Sequence, residues 1–225
     1  MRAPISIIIP TLDAEQALPA CLGALGEGLS AGVIRELILS DGGSTDGTLA
    51  IAASAGAEVV RGGASRGGQL ARGAAAAGGD WLLFLHADTV LDAGWSTAVR
   101  ACLDRPGAYH FRLRFDAPGV APRIVAGWAN LRSRLFALPY GDQGLLIHRR
   151  VYDAIGGFPD IPLMEDVALA RRARGQLRAL RVDAITSAEK YERQGWLRRG
   201  GRNLLTLLRY FMGVNPERLA RRYRA

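Results

Sequence analysis

Four short apolar runs separated by three helix-compatible stretches fill the first 88 residues, and this alternation constrains the fold more than any other feature. Ile5-Ser6-Ile7-Ile8-Ile9 is almost wholly β-branched and ends at Pro10, the pattern of a strand covered on both faces. Residues 14–29 are helical in spacing. Glu36-Leu37-Ile38-Leu39-Ser40 reads as a second strand running into Asp41, and Thr45 or Asp46 can cap a helix through about Ala55. Ala57 to Val60 forms a third strand, residues 67–77 a small-faced helix, and Trp81-Leu82-Leu83-Phe84-Leu85 a fourth strand that delivers His86-Ala87-Asp88. The order predicts an α/β fold with a doubly wound, mostly parallel central sheet, whose ligands gather outside the C-terminal ends of the strands.

After residue 106 the pattern changes. Tyr109 to Phe115 alternates like an antiparallel or edge strand, residues 122–136 look helical, and Gln143 to His148 reads as another strand. A length of 225 residues suits one large domain, so residues 1–225 are expected to form a single unit: a first half 1–105, a smaller second lobe 106–196 and a basic helical tail 197–225. Trp81, Phe84, Trp95 and Trp128 are expected in the core, and His110 and His148 are read as structural.

Cys21 and Cys102 lie far apart with no CxxC partner, which argues against a disulfide framework or a zinc site. The apolar stretch from Ile5 to Pro10 is too short for a signal-peptide core, and no run approaches the ~20 residues of a membrane span. A cytoplasmic setting is the expectation. The net charge of +8 is unevenly placed: residues 198–225 hold eight arginines and one glutamate, a net +7 that leaves +1 for residues 1–197. Terminal charge without an aromatic-basic platform argues against nucleic-acid binding.

Three acidic segments stand at or after the ends of apolar runs. Asp41-Gly42-Gly43-Ser44-Thr45-Asp46-Gly47-Thr48 follows a strand and opens a helix, which reads either as a nucleotide cradle or as a Gly-rich turn with a cap. It lacks G-x-G-x-x-G spacing. His86-Ala87-Asp88 puts its first and third side chains on one side of an extended segment, and a hard divalent cation on a diphosphate needs only one or two protein carboxylates. Glu165-Asp166 opens an amphipathic run after the rigid Gly156-Gly157-Phe158-Pro159, where acidic residues also suit a helix dipole irrespective of function.

Taken in order, Pro10-Thr11, Asp41 to Thr48, Leu85 to Asp88, Gly156 to Pro159 and Glu165-Asp166 resemble the family 2 glycosyltransferases of the GT-A fold over some 170 residues. The chain is more narrowly similar to a small bacterial subgroup with H-A-D-T in place of D-x-D. The resemblance implies a nucleotide-diphosphate-sugar donor, usually UDP-linked, held by Pro10, Thr11, Leu12, Glu15, Asp41, Gly43 and Ala87, with Asp41 at the base. It implies Mg2+ or Mn2+ on Asp88 with His86, and Asp166 or its neighbour Glu165 as catalytic base. Arg66, placed by its Gly-rich surroundings in a flexible loop, reads either as a further donor contact on a phosphate or as a solvated arginine. Tyr140-Gly141-Asp142-Gln143-Gly144, a polar tight loop before a strand, reads either as an acceptor contact through Gly141, Asp142 and Gln143 or as a simple turn. The implied reaction is a metal-dependent, inverting transfer to a hydroxyl or lipid-phosphate acceptor.

The chain departs from that pattern in three places. The family's P-x-x-N-E reads Pro10-Thr11-Leu12-Asp13-Ala14, with Glu15 as the neighbouring replacement; His86 stands where a carboxylate is usual; and Gln194-Gly195-Trp196-Leu197-Arg198 does not reproduce Q-x-x-R-W, which favours single transfer over processive synthesis. Two other classes compete: a nucleotidyltransferase, against which the Pro10–Glu15 loop lacks Gly, Lys and Arg, and a nucleotide-sugar or membrane-binding module without turnover. For the tail, Leu204 to Met212 is apolar at helical spacing between arginines, which fits either docking on the body or peripheral contact with an anionic membrane.

Overall fold

A computed structural model describes residues 3–224. Strands β1 (Ile5–Thr11), β2 (Ile34–Asp41), β3 (Glu58–Arg61) and β4 (Trp81–Phe84) run parallel in the order β3-β2-β1-β4. They are joined by helices α1 (Leu18–Ser30), α2 (Thr48–Ser54) and α3 (Arg66–Ala76). Strands leave β1 in opposite directions, to β2 on one side and β4 on the other, so the C-terminal end of β1 is a topological switch point.

Both faces of this half are covered, which is why the apolar runs are unbroken. Ile5, Ile7 and Ile9 of β1 pack with Leu18, Cys21 and Leu25 of α1 and with Trp95, while Ile8 packs on the other face with Leu70 and Ala74 of α3, Tyr152 and Phe158. The small face of α3 permits a close approach: a Cβ on Gly73 would lie 2.4 Å from Ile8 Cγ2.

The second half extends the same sheet. Beyond β4 lie β7 (Leu145–His148), β6 (Ala108–Phe115), β8 (Leu177–Thr186) and β5 (Thr89–Leu91), with antiparallel pairings at β4–β7, β7–β6 and β8–β5 and a parallel one at β6–β8. Helices α4 (Trp95–Arg100), α5 (Val120–Phe136), α6 (Arg149–Ala154) and α7 (Glu165–Arg172) flank it, followed by α8 (Glu189–Gln194), α9 (Trp196–Phe211) and α10 (Pro216–Arg224). Among the described residues no helix is long and apolar enough to cross a membrane.

Several expectations shift. The α1 helix begins at Leu18, because Asp13, Ala14 and Glu15 hydrogen-bond across to the 44–48 loop. Strand β6 is antiparallel to β7, in keeping with one of its two readings, but it is interior rather than an edge, with β8 parallel on its other side. Gln143 belongs to a 3-10 turn at Gly141–Gln143, and the strand starts at Leu145. Arg66, expected in a flexible loop, is the first residue of α3, whose N-cap Ser65 accepts the Gly68 N–H. Trp81 and Trp95 are buried, but Trp128 is 51% exposed on the outer face of α5. The tail docks on the body: Leu207 of α9 packs with Leu138, Met164, Val167 and Ala170.

Candidate active site

The ends of β1 and β2 are locked together by polar side chains. Asp41 is buried; its Oδ1 accepts from Thr11 Oγ1 at 3.0 Å and from the Ser44 hydroxyl, and its Oδ2 accepts the N–H groups of Gly43 (2.8 Å) and Ser44 (2.9 Å). Burial pushes this carboxyl's pKa up, but the Ser44, Gly43 and Thr11 donors outweigh it and hold the group below the usual carboxylate range. Gly43 sits at φ 101°, a left-handed conformation that suits glycine. Gln69, reaching from α3, donates through Nε2 to the carbonyls of Thr11 (2.8 Å) and Ser40 (2.9 Å).

The neighbouring loops are zippered in the same way. Asp13 Oδ1 accepts the Thr45 N–H, Asp46 Oδ2 accepts the Glu15 N–H, and Glu15 Oε2 accepts the Gly47 N–H at 2.6 Å. Glu15 therefore spends one carboxylate oxygen on the start of α2. Leu12 is 49% exposed at the tip of this loop, while Pro10 and Ala87 are part-buried.

On the other side of the switch point stand His86 and Asp88. Burial, then the nearby Arg66, lowers the His86 pKa to about 4 against the opposing pull of Asp88, so the imidazole is neutral near pH 7. Gly141 lies against its Nε2: a Cβ there would come within 2.5 Å. Asp88 is half-buried and faces Lys190 Nζ at 3.7 Å.

The acid pair is set by a strained turn. Met164 adopts φ 68°, unusual for a residue with a Cβ, and α7 begins at the next residue. The turn sends Glu165 inward and leaves Asp166 at the surface of the cavity. Glu165 is 1% exposed and its Oε2 has no hydrogen-bond partner among the described residues. Burial, then the charge of Asp166, raises its pKa to about 8; Arg66 Nε, 3.8 Å away with its side chain half in water, offsets only part of this. Asp166 is part-exposed, and its Oδ2 accepts the Gly141 N–H at 2.8 Å. An apolar-walled cavity reaches His86, Tyr140, Glu165 and Asp166 from Phe84, Phe158 and Leu169.

The three residues expected at the acceptor separate into different roles. Gly141 orients Asp166 through its backbone. Gln143 is fully buried: Nε2 donates to the Phe111 carbonyl and Oε1 accepts from Ser133 Oγ at 2.6 Å and the Tyr140 N–H, so it is a structural tie with no face left for an acceptor. Asp142 alone keeps a free buried oxygen, and burial raises its pKa to about 6 against the pull of Arg132. Arg132, stacked 3.5 Å from the Tyr140 ring centroid, was not foreseen; nor were Gln69 and Lys190. Lys190 carried a signal, being the chain's only lysine among 29 basic residues.

The family model described as "Glycosyl transferase family 2" matches residues 6–127, which takes in the β1 end, the Asp41 loop and Asp88. The chain belongs to glycosyl transferase family 2. Among curated proteins, this family 2 chain is 53% identical over 53 residues to a PGL/p-HBAD biosynthesis glycosyltransferase of Mycobacterium tuberculosis, strain H37Rv. That stretch is 23% of this chain and 20% of the relative's length. Two solved structures share the fold at low identity. TarS 1–349 of S. aureus superposes with a TM-score of 0.64 at 15% identity, over 91% of this chain and 64% of that one. Glucosyl-3-phosphoglycerate synthase of Mycobacterium tuberculosis, in complex with Mn2+, UDP and glucosyl-3-phosphoglycerate, gives 0.58 at 21%, over 82% of this chain and 70% of that one. A GT-A-like α/β fold is common to all three.

Proposed function

We propose that this family 2 chain transfers a sugar from a UDP-linked donor to an acceptor hydroxyl with inversion of configuration, Asp166 serving as the base. The observation that carries the reading is the contrast within the acid pair: both carboxylates line the cavity, but Glu165 is shut off from solvent, whereas Asp166 is part-exposed and fixed by the Gly141 N–H. A TarS structure that contains UDP-GlcNAc and the synthase that contains UDP and Mn2+ support the donor class.

Among the described residues no cluster of three metal-ligating side chains occurs, and the fit to a cation rests on Asp88. Among the described residues its carboxylate pairs with Lys190, at 3.7 Å, and it stands at the switch point beside a neutral His86. One carboxylate suits Mg2+ or Mn2+ on a diphosphate, where phosphate oxygens and water complete the shell. Asp88, with His86 beside it, would hold the ion, which supplies charge neutralisation for the leaving diphosphate.

Asp166 takes the proton of the acceptor hydroxyl, whose oxygen forms the new bond to the anomeric carbon. The bond from that carbon to the diphosphate oxygen breaks, and its electron pair leaves with the diphosphate. A positioned base of this kind contributes ~10²–10⁴-fold. Arg66 and Lys190, the cations beside Glu165 and Asp88, are suited to steady the negative charge that grows on the diphosphate. Asp41 sets the loop that frames the base, as does Gly43, and Asp142 faces the acceptor side. A panel of nucleotide-sugars with Mn2+, scored by thermal shift and by release of nucleoside diphosphate, tests the reading. Stabilisation and release with UDP-sugars support it; a chain unaffected by every member contradicts it.

A further inference from the structure

Helix α5 packs its inner face on β6 and leaves an outer stripe without a partner. Val120, Ile124, Trp128, Leu131 and Leu135 recur at helical spacing and are 46–71% exposed. Helix α9 lies alongside and does the same with Leu197, Leu204, Leu208, Phe211 and Met212, exposed by 42–89%, even though Thr206 and Leu207 bind it to the body. Trp128 and Leu204 line one cavity between the two helices, so the stripes meet there. Ten apolar side chains on adjoining helices far exceed the scattered exposure that is normal for a surface.

The charge around this face says what covers it. Together α5 and α9 contain seven arginines and no acidic residue. Arg123 and Arg134 on α5 and Arg198 on α9 are exposed roughly a quarter-turn from the stripe centres, which is the arrangement of helices lying in a lipid interface with basic residues at headgroup level. A second copy seated on the same face would bring the same unpaired cations against these. We infer that the α5–α9 face docks on an anionic membrane surface, with the apolar stripes in the acyl boundary and the arginines on lipid phosphates. Docked in this way, the cavity between the helices, which runs inward to Arg132 and Asp142, adjoins the lipid. The inference does not depend on the transfer chemistry.

Flotation of the full chain with vesicles tests it, using phosphatidylcholine alone and phosphatidylcholine mixed with phosphatidylglycerol. Binding is expected to the anionic vesicles only, to weaken as salt rises, and to fall by ~10-fold or more in Leu135→Glu/Leu208→Glu, since each lost apolar contact removes lipid burial. Both positions are at least half exposed, so the variant should keep its melting temperature; Leu197→Glu, 89% exposed, is a second probe at the far end of α9. No binding to anionic vesicles overturns the inference. So does binding that neither variant weakens, or a stable dimer in light scattering that both variants dissociate, which would mark the face as a self-interface.

Discussion

Asp166 and Gly141 are joined by one hydrogen bond, 2.8 Å from the glycine N–H to the carboxylate Oδ2, and the same glycine has no room for a side chain because His86 Nε2 stands where its Cβ would be. One residue thus spaces the proposed base from the imidazole that neighbours Asp88, the proposed metal ligand.

Gly141→Ala forces that contact apart. Overpacking of this kind costs about 1–3 kcal/mol, and the displaced N–H releases Asp166. Turnover is expected to fall at least ~10-fold with little change in donor affinity, which steady-state kinetics and donor titration separate. Normal kinetics in the alanine variant would show that the spacing has no catalytic role.

Glu165 makes stability depend on pH in a defined direction. Its folded pKa is raised to about 8 from an ordinary 4.5, so between those values the folded protein binds more protons than the unfolded chain. Stability is therefore highest toward pH 4.5 with respect to this group, falls as pH rises to about 8, and levels beyond. Asp142, raised to about 6 from 3.8, adds a slope of the same sign over the lower part of the range. In Glu165→Gln the slope between pH 6 and 8 should flatten, as read by denaturant melts. An unchanged slope would mean that Glu165 is ionised when buried.

Gln143→Ala leaves the Tyr140 N–H without its partner and takes one of two or more partners from Ser133 Oγ and the Phe111 carbonyl, which keep the Ala129 carbonyl and His110 Nδ1, while opening a cavity at a fully buried site. Unpaired buried groups cost about 1–3 kcal/mol each, so the midpoint of unfolding should drop markedly. The affinity for acceptors, compared at a temperature where the variant is folded, should be unaffected; a selective loss of acceptor affinity would restore Gln143 to the acceptor site.

The first half of the fold was legible because Ile5 to Ile9 and Trp81 to Leu85 are buried on both faces, and a two-sided strand writes an unbroken apolar run. The position of His86-Ala87-Asp88 was legible for a related reason: it follows the run Trp81 to Leu85, whose strand β4 pairs with β1 beside the switch point. The direction of a side chain was not legible. Nothing in Glu165-Asp166 indicates which carboxylate turns inward, since that follows from the left-handed turn at Met164; and Gln143, read as an acceptor contact, is fixed by Ser133 and Phe111, which are remote in sequence. Trp128 misled because tryptophan usually packs inside, whereas here it belongs to an outward apolar stripe.

Asp88→Asn, or removal of divalent ions by a chelator, should lower affinity for UDP to the same reduced value, while the melting temperature without ligand stays the same. Titration calorimetry with and without Mn2+ reads this. A Mn2+-dependent gain in UDP affinity that survives in the asparagine variant would place the cation elsewhere.

If the exposed member of the acid pair removes the acceptor proton, Asp166→Asn should disable the reaction, since the amide keeps the shape of the side chain and loses its basicity. Measured as release of UDP from the donor that the wild type uses, with its acceptor present, turnover in this variant should fall ~10²-fold or more with donor affinity almost unchanged. Full turnover in Asp166→Asn would show that this carboxylate is not the base.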